Sequence, residues 1–232
     1  VWKLSDSNNW ISSSQLGTDS KCLTKDQFGN LLLASDGAGI FKSSDYGISW
    51  IPFSIGISVM EIYEINCNTN GRLFVGTYGG GINYSSDNGI NWTSINQGLL
   101  SWNIICIETD GENLYAGTSD MGLFVSNNNG SVWYHADEVL SNYITSLTIA
   151  PDGNLYAGAG NGLYKSCDSG QTWVSFSANQ IDLSYTYSIN INSLGYIFIA
   201  SNDGLSRSIN NGLTWEMIFE TPNTTIKDIL ID

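Results

Sequence analysis

The sequence has few basic residues, few charges of any kind and only three prolines. Charged residues make up 13% of the chain, and 8 Lys and Arg stand against 22 Asp and Glu, so the net charge is −14. A protein that binds nucleic acid needs a basic surface to displace counterions from the phosphates, and this chain has only two arginines, Arg72 and Arg207. The same shortage disfavours docking on an anionic membrane. No apolar run approaches the roughly 20 residues of a membrane span. We therefore expect neither a nucleic-acid partner nor membrane insertion.

Metal ligands are equally scarce. His135 is the only histidine, and the four cysteines, Cys22, Cys67, Cys106 and Cys167, form no Cys-x-x-Cys pair. Structural zinc sites need clustered Cys and His side chains, so the sequence predicts no metal and no cofactor. A chain of this length does not depend on disulfides for a stable core. We therefore predict four small buried hydrophobic residues rather than a disulfide framework.

What the chain does contain is internal repetition. Six tryptophans recur at spacings of 40, 42, 41, 40 and 42 residues. The last five each end a segment of the pattern Ser-x-Asp/Asn-x-Gly-x-x-Trp, whereas the first copy, ending at Trp10, lacks the glycine. The acidic or amide residue, the glycine and the tryptophan of the five segments are Asp45, Gly47 and Trp50; Asp87, Gly89 and Trp92; Asn128, Gly130 and Trp133; Asp168, Gly170 and Trp173; and Asn210, Gly212 and Trp215.

Each unit also has the pattern of short β-strands. A turn glycine precedes an apolar run such as Leu114-Tyr115-Ala116-Gly117, and another run alternates apolar and polar residues, as around Ile189 and Ile191. Alternation with a period of two indicates a strand with one buried face. Four strands, here named A to D in chain order, fit into each unit of about 41 residues. This number of strands and residues is typical of one β-propeller blade. A two-sheet sandwich is the alternative, but it would not need so constant a spacing.

The strand pattern predicts an all-β propeller of about six blades. Five complete units lie between about residues 20 and 221. We expect a sixth, closing blade shared by the two termini, with Val1–Ser14 supplying strands C and D and Thr225–Asp232 supplying strand A. The chain is somewhat shorter than six full units, so the closing blade would have three strands, or the chain is a fragment of a longer repeat protein. Residues 1–232 are predicted to form a single domain.

These segments make the chain resemble the Asp-box family, also called BNR repeats, which was named from sialidases and recurs in many secreted β-propellers. The resemblance implies that the box is a structural turn located away from any active centre. The Asp or Asn of the box accepts backbone hydrogen bonds, and its Trp packs between sheets. A calcium site would need clustered carboxylates, and Asn128 and Asn210 lack that charge. A sialidase would need three arginines around the substrate carboxylate, and two cannot supply them. Related propeller xyloglucanases use two aspartates across two propellers, and related photosystem assembly factors carry an arginine-rich face that is absent here.

The predicted binding face is the one opposite the boxes, formed by the B–C and D–A loops. Aromatic rings beside Asp and Asn suit sugar recognition, because the ring stacks on the apolar sugar face while polar groups bind hydroxyls. The alternative is that the aromatics pack between blades and the polar residues only form turns. The candidate ligand-binding residues are Asp36, Tyr78, Trp102, Asp120, Tyr143, Asn161, Tyr185, Tyr187 and Asp203.

The sequence therefore favours a non-catalytic binding or scaffold propeller that recognises a glycan or an extracellular protein. The acidic, Asn- and Ser-rich composition fits an extracellular, cell-surface or periplasmic protein. The alternative is a glycoside hydrolase or lyase that uses Asp36, Asp120 and Asp203 as paired carboxylates. Independently of function, we expect Trp92→Ala to destabilise the protein by about 3–5 kcal/mol, the cost of removing a buried aromatic side chain.

Overall fold

A computed structural model describes residues 2–4, 10–12, 20–136, 141–176, 185–220, 226 and 229 of the chain. These residues form strands and turns and contain no α-helix, which confirms the all-β prediction. Within the same ranges, no helix is long and apolar enough to cross a membrane.

The strands follow one another at the predicted interval. In chain order they are β1 (Trp2–Leu4) and β2 (Trp10–Ser12); β3 (Ser20–Lys25), β4 (Leu31–Ser35), β5 (Gly39–Ser43) and β6 (Ile51–Pro52); β7 (Ile62–Cys67), β8 (Leu73–Thr77), β9 (Gly81–Ser85) and β10 (Thr93–Ser94); β11 (Ile104–Asp110), β12 (Asn113–Thr118), β13 (Leu123–Ser126) and β14 (Tyr134–His135); β15 (Ile144–Ile149), β16 (Leu155–Ala159), β17 (Gly162–Ser166) and β18 (Val174–Phe176); and β19 (Thr186–Ile191), β20 (Ile197–Ser201), β21 (Gly204–Ser208) and β22 (Glu216–Glu220).

Strands β3 to β22 form five four-stranded antiparallel blades, each with its strands in chain order. The innermost strand of each blade contacts the innermost strand of the next, from β3 through β7, β11 and β15 to β19, so the blades are arranged in a ring. The protein is thus a five-bladed propeller, and the prediction of six blades is not supported. Among the described residues, strands β1 and β2 pair with each other and with no further strand, and two strands are too few to bury a sheet face as a full blade does. Of residues 225–232, only positions 226 and 229 are described, and neither lies in a strand.

The hydrophobic core lies in layers between adjacent blades, where the second strand of each blade is buried at all positions or at all but one. The repeated glycine of that strand explains how closely the blades pack. A Cβ at Gly117 would lie 2.5 Å from the Cys106 sulfur and 2.7 Å from Cγ2 of Ile144 in the next blade. Such distances leave no room for a side chain. In the three middle blades the glycine therefore allows close blade stacking, whereas Ala34 and Ala200 occupy the same position in the first and fifth blades.

Trp92, Trp133, Trp173 and Trp215 lie in clusters that include residues of the preceding blade, but the box tryptophans are not equally buried. Trp50, Trp133, Trp173 and Trp215 are all buried, and Trp133, for example, packs in one cluster with Phe74 of the second blade. Trp92 is only half-buried, and its indole N–H has no hydrogen-bond partner among the described residues. The energetic cost of removing Trp92 should therefore be smaller than the sequence suggested.

The four cysteines are free thiols, so the structure contains no disulfide between them. The prediction that all four are buried is wrong for three of them. Cys106 is buried, Cys22 and Cys67 are half-buried, and Cys167, in the box turn after β17, is exposed.

The five box turns share one hydrogen-bond pattern. In the first, the Ser43 hydroxyl accepts a hydrogen bond from the Gly47 N–H at 2.8 Å and donates to the Asp45 carboxylate at 2.8 Å. The carboxylate in turn accepts from the Ser49 N–H at 2.9 Å. The residue between the acid and the glycine, Tyr46 in this copy, has a φ of 60°, and Gly47 has a φ of 84°. Two consecutive left-handed residues are costly for side chains other than glycine and asparagine, and the side-chain hydrogen bonds hold this conformation in place.

An amide supports the turn as well as a carboxylate does. The Asn128 oxygen accepts from the Val132 N–H at 3.0 Å and from the Ser126 hydroxyl at 2.8 Å, which are the contacts that Asp45 makes in the first copy. Hydrogen bonds from the Thr172 hydroxyl and amide lower the pKa of Asp168 to about 2, so this acid is ionised at neutral pH. The geometry of the turn therefore depends on the acceptor oxygen more than on the charge.

We expect Ser166→Ala to cost about 1–3 kcal/mol and Asp168→Asn to be nearly neutral at pH 7. Removing the Ser166 hydroxyl leaves the buried Gly170 N–H, now bonded to it at 2.9 Å, without an acceptor. Asparagine at 168 keeps the acceptor for the Thr172 N–H. Urea denaturation followed by circular dichroism measures both changes. An Asp168→Asn loss equal to that of Ser166→Ala would show that the charge is essential.

Candidate functional site

The loops opposite the boxes are tied together by backbone hydrogen bonds. In the first three blades, the turn between the second and third strands bonds to the segment that leads into the next blade. The Gly37 N–H donates to the Met60 carbonyl at 3.0 Å, the Gly79 N–H to the Trp102 carbonyl at 2.9 Å, and the Gly122 N–H to the Asn142 carbonyl at 2.8 Å. These bonds form a rim, named here the loop rim, whose backbone is fixed before any ligand binds.

The loop rim surrounds one end of a central channel. The channel has a volume of about 890 Å³ and is lined by the innermost strands of all five blades. The protein surface at its rim end is aromatic: Tyr63, Tyr143, Tyr185 and Tyr187 all line it. Its interior is mostly polar, and cavities of roughly 300–1,000 Å³ with mixed walls are the usual size of small-molecule sites.

Three tyrosines form a continuous cluster on one side of the channel mouth. The ring centroids of Tyr143 and Tyr185 are 6.0 Å apart, and those of Tyr185 and Tyr187 are 4.7 Å apart. The Tyr187 hydroxyl donates to the Asn202 side-chain oxygen at 2.9 Å. Burial raises the pKa of Tyr185, and its tyrosine neighbours raise it further, so its phenol stays protonated. The cluster thus presents ring faces together with neutral hydroxyl groups.

A second aromatic group lies at the mouth, contributed by the first two blades. Tyr63 and Tyr78 have ring centroids 5.7 Å apart, and the Lys21 ammonium lies 4.8 Å from the centre of the Tyr63 ring. Lys21 also forms an ion pair of 3.3 Å with Asp36. Tyr78 is 43% exposed, so its ring is available to solvent at the rim. Asp36 therefore does not line the channel itself, but its ion pair with Lys21 holds that ammonium group beside the Tyr63 ring at the mouth.

The channel also contains two carboxylates on neighbouring innermost strands. Glu64 accepts a hydrogen bond from the Cys22 thiol at 2.9 Å, and Glu108 accepts one from the Thr109 N–H at 2.9 Å. Burial raises the pKa of Glu108 to about 7, and the nearby Asp110 charge contributes to the rise. Burial also raises the pKa of the Cys106 thiol well above its ordinary value, with the Glu64 charge adding to the effect. These carboxyl and thiol groups inside the channel are therefore either neutral or negatively charged.

The structure brings some of the predicted residues together and leaves others apart. Tyr143, Tyr185 and Tyr187 line the channel, and Tyr78 and Asp36 are each one contact away from it.

The remaining predicted residues lie farther out on the rim. The Asp120 carboxylate accepts hydrogen bonds from the Ser101 hydroxyl and the Asn103 amide, and Trp102 is exposed beside them. Asn161 and Asp203 are exposed at turn tips and do not line the channel.

The innermost strands contribute channel residues that were not predicted from the sequence. Lys21, Tyr63, Glu64 and Glu108 line the channel but are not among the predicted binding residues. The alternating pattern of these strands was the available signal, since one face of each innermost strand must point toward the axis. Among the residues that the structure describes, no group of three or more His, Cys, Asp and Glu is placed to bind a metal ion.

No protein-family model matches the chain, and no curated protein matches it. Solved structures resemble it at low identity. The extracellular domain of the one-component system BT4673 from B. thetaiotaomicron has a TM-score of 0.75 and 18% identity, over 97% of this chain and 33% of that one. An ancestral GH74 enzyme has a TM-score of 0.71 and 19% identity, over 86% of this chain and 31% of that one. YCF48 from Cyanidioschyzon merolae has a TM-score of 0.63 and 16% identity, over 87% of this chain and 72% of that one.

These structures are β-propeller proteins, so the likeness agrees with the fold described above. This chain spans about a third of the length of the BT4673 domain and of the GH74 enzyme. At such identities the comparison shows the fold alone.

Proposed function

We propose that the protein is a non-catalytic propeller domain, exported or at the cell surface, that binds a neutral glycan at the mouth of its central channel. The observation that carries the proposal is the cluster of Tyr143, Tyr185 and Tyr187 on a fixed rim. Sugar rings have apolar faces that stack on aromatic rings, and their hydroxyls bond to phenols and amides. Aromatic ring faces, phenol hydroxyls and the Asn202 amide all lie at this channel mouth.

The charge of the channel favours a neutral ligand. Glu64 and Glu108 lie inside, and the whole chain has a net charge of −14. An anionic sugar would approach a surface of its own sign, which lowers both association rate and affinity. Lys21 is the basic side chain among the described lining residues, and its ammonium is already paired with Asp36. A neutral polysaccharide fits this environment better than an acidic one.

One of the similar structures is an extracellular domain, which is consistent with the location that we propose. Hydrolysis by loop-rim carboxylates has less support. Asp36, Asp120 and Asp203 belong to the first, third and fifth blades, and the first two are already bonded to neighbouring side chains. Hydrolysis is therefore the alternative that the test below distinguishes from binding.

We also infer that residues 1–232 belong to one propeller domain and that the five serine-containing turns are Asp boxes of the BNR type. The shared hydrogen-bond pattern supports the second inference, because each serine hydroxyl accepts from the glycine N–H of its own turn.

The test is calorimetric titration with neutral cello-, xylo- and manno-oligosaccharides. We expect Tyr187→Ala to weaken binding about tenfold or more, because it removes a stacking face worth on the order of 1 kcal/mol and the hydrogen bond to Asn202. Phe28→Ala is the matched control, since Phe28 is an exposed aromatic on the opposite face.

Equal affinity of the Tyr187→Ala and wild-type proteins would contradict the proposal, as would absence of binding to the whole panel. Release of reducing ends that is lost on Asp36→Asn, Asp120→Asn or Asp203→Asn would favour the hydrolase instead.

A further inference from the structure

A second cavity lies at the outer edge of the ring, between the third and fourth blades. It has a volume of about 600 Å³ and shares no lining residue with the central channel. We name it the interblade groove. The side chains that line it include Asn113, Val125, Asn127, Tyr134, Ala136 and Gln171.

The groove exists because one side chain is smaller than its equivalents in other blades. The residue three positions after the box tryptophan is Phe53 in the first blade, Ile95 in the second and Ala136 in the third. All three occupy the same place, since their N–H groups donate to the carbonyls of Ile40, Ile82 and Leu123 at 2.7, 3.0 and 2.8 Å respectively.

In the first two blades this side chain fills the space against the next blade. A Cβ on Gly89 would overlap the Phe53 ring, and a Cβ on Gly130 would overlap Cδ1 of Ile95. At the corresponding Gly170 the nearest atoms would instead be Tyr115 Cε1 at 3.1 Å and Val125 Cγ2 at 3.2 Å. Tyr115 and Val125 therefore cover Gly170, and the methyl group of Ala136 is not among its nearest atoms. The smaller side chain at position 136 leaves the groove open beside them, where Val125, Ala136 and Gly170 line it.

The walls of the groove combine an aromatic ring with uncommitted amides. Tyr134 is 57% exposed on the outermost strand of the third blade. The side chains of Asn113, Asn127 and Gln171 make no hydrogen bond to any described residue of the chain. His135 also lines the groove, but its Nε2 is bonded to the Met121 carbonyl at 2.7 Å. No Asp, Glu, Lys or Arg is among the described lining residues.

We propose that the interblade groove binds a neutral sugar unit, as a site separate from the central channel. An amide both donates and accepts, so three unpaired amides match the hydroxyl groups of a sugar, and the Tyr134 ring offers a stacking face. The absence of charge from the walls removes the desolvation cost that an ionic wall would impose. A peptide added to the strand edge is a poorer fit, because β14 presents only two residues for pairing. The proposal does not depend on the function of the channel.

The substitution Ala136→Ile tests the groove without changing the channel. Its larger side chain takes the place that Ile95 occupies one blade earlier and fills the groove. We expect two classes of sites for the same neutral oligosaccharides on the wild-type protein and one on Ala136→Ile, with no loss of thermal stability. Gln171→Ala, an exposed change, should weaken the same site severalfold without affecting the fold. Tyr187→Ala should leave the groove site unchanged.

The variants separate the two proposals. Binding that is unaffected by Ala136→Ile and Gln171→Ala overturns the groove site and leaves the channel proposal standing. Binding that is lost in Ala136→Ile and retained in Tyr187→Ala supports the groove and overturns the channel. Absence of binding to the whole panel by the wild-type protein overturns both. Ile95→Ala opens the equivalent space between the second and third blades without Tyr134, and binding created there would contradict the role given to the lining residues.

Discussion

Replacing Trp133 by alanine is expected to destabilise the protein by about 3–5 kcal/mol, the usual cost of removing a large buried aromatic side chain. Trp133 is 2% exposed and packs in one cluster with Phe74 and Ile82 of the second blade and Phe124 of its own. Its indole N–H also donates to the Ile95 carbonyl at 2.6 Å. Truncation therefore leaves a cavity between two blades and a carbonyl without its donor.

Trp92→Ala is the comparison that tests the reason for this effect. Trp92 occupies the same motif position, but it is half-buried and its indole N–H has no described partner. We expect a smaller loss of stability there, because less apolar surface returns to water and no hydrogen bond is broken. Urea denaturation of both variants at pH 7 gives the two values. Equal losses, or a loss below about 1 kcal/mol for Trp133→Ala, would show that interblade packing does not determine the contribution of these tryptophans.

Replacing Glu108 by glutamine is expected to stabilise the protein above pH 7, by about 1–3 kcal/mol. Burial in the channel raises the pKa of Glu108 from 4.5 to about 7, so ionisation opposes folding. The lower part of this range allows for the fact that Glu108 is half-buried and that water in the channel screens its charge. Glutamine keeps a polar group beside Asn66 and removes the titration.

The pH range of the effect follows from the direction of the pKa shift. Between about pH 4.5 and 7 the native state binds more protons at Glu108 than the unfolded state does, so the wild-type stability falls as the pH rises. The box acids behave in the opposite way. The pKa values of Asp45, Asp87 and Asp168 are about 2, so their stabilisation is complete above about pH 4 and is lost as the pH falls through 2.

The stability difference between Glu108→Gln and the wild type should therefore be small below pH 4.5, grow up to pH 7 and remain constant above it. Glu112→Gln, on an exposed turn, is the control and should show no such growth. Denaturant unfolding at several pH values from 4 to 8 measures the difference. A constant difference across this range would contradict the raised pKa of Glu108.

The sequence predicted the blades well because their determinants are local. The turn glycines, the alternating strands and the serine–acid segments act within about 40 residues, and each unit specifies the same hydrogen bonds again. The number of blades was not predicted correctly. Counting strand patterns at the chain ends gave six, whereas the structure has five four-stranded blades and a separate pair, β1 and β2. Blade number depends on how the sheets stack around the axis, which no single unit encodes.

By itself, the sequence determined the strand order within each blade, the face that carries the boxes and the acidic character of the surface. Only the tertiary structure decided which side chains meet at the axis and where a gap remains. Tyr143 and Tyr187 belong to different blades, and the channel carboxylates lie on innermost strands for which the sequence predicted one buried face but no channel. The interblade groove depends on the small side chain of Ala136, which lines it together with Gly170 of the next blade. A missing side chain becomes a cavity only when the surrounding elements are too rigid to close over it, and that rigidity arises from the packing of neighbouring blades.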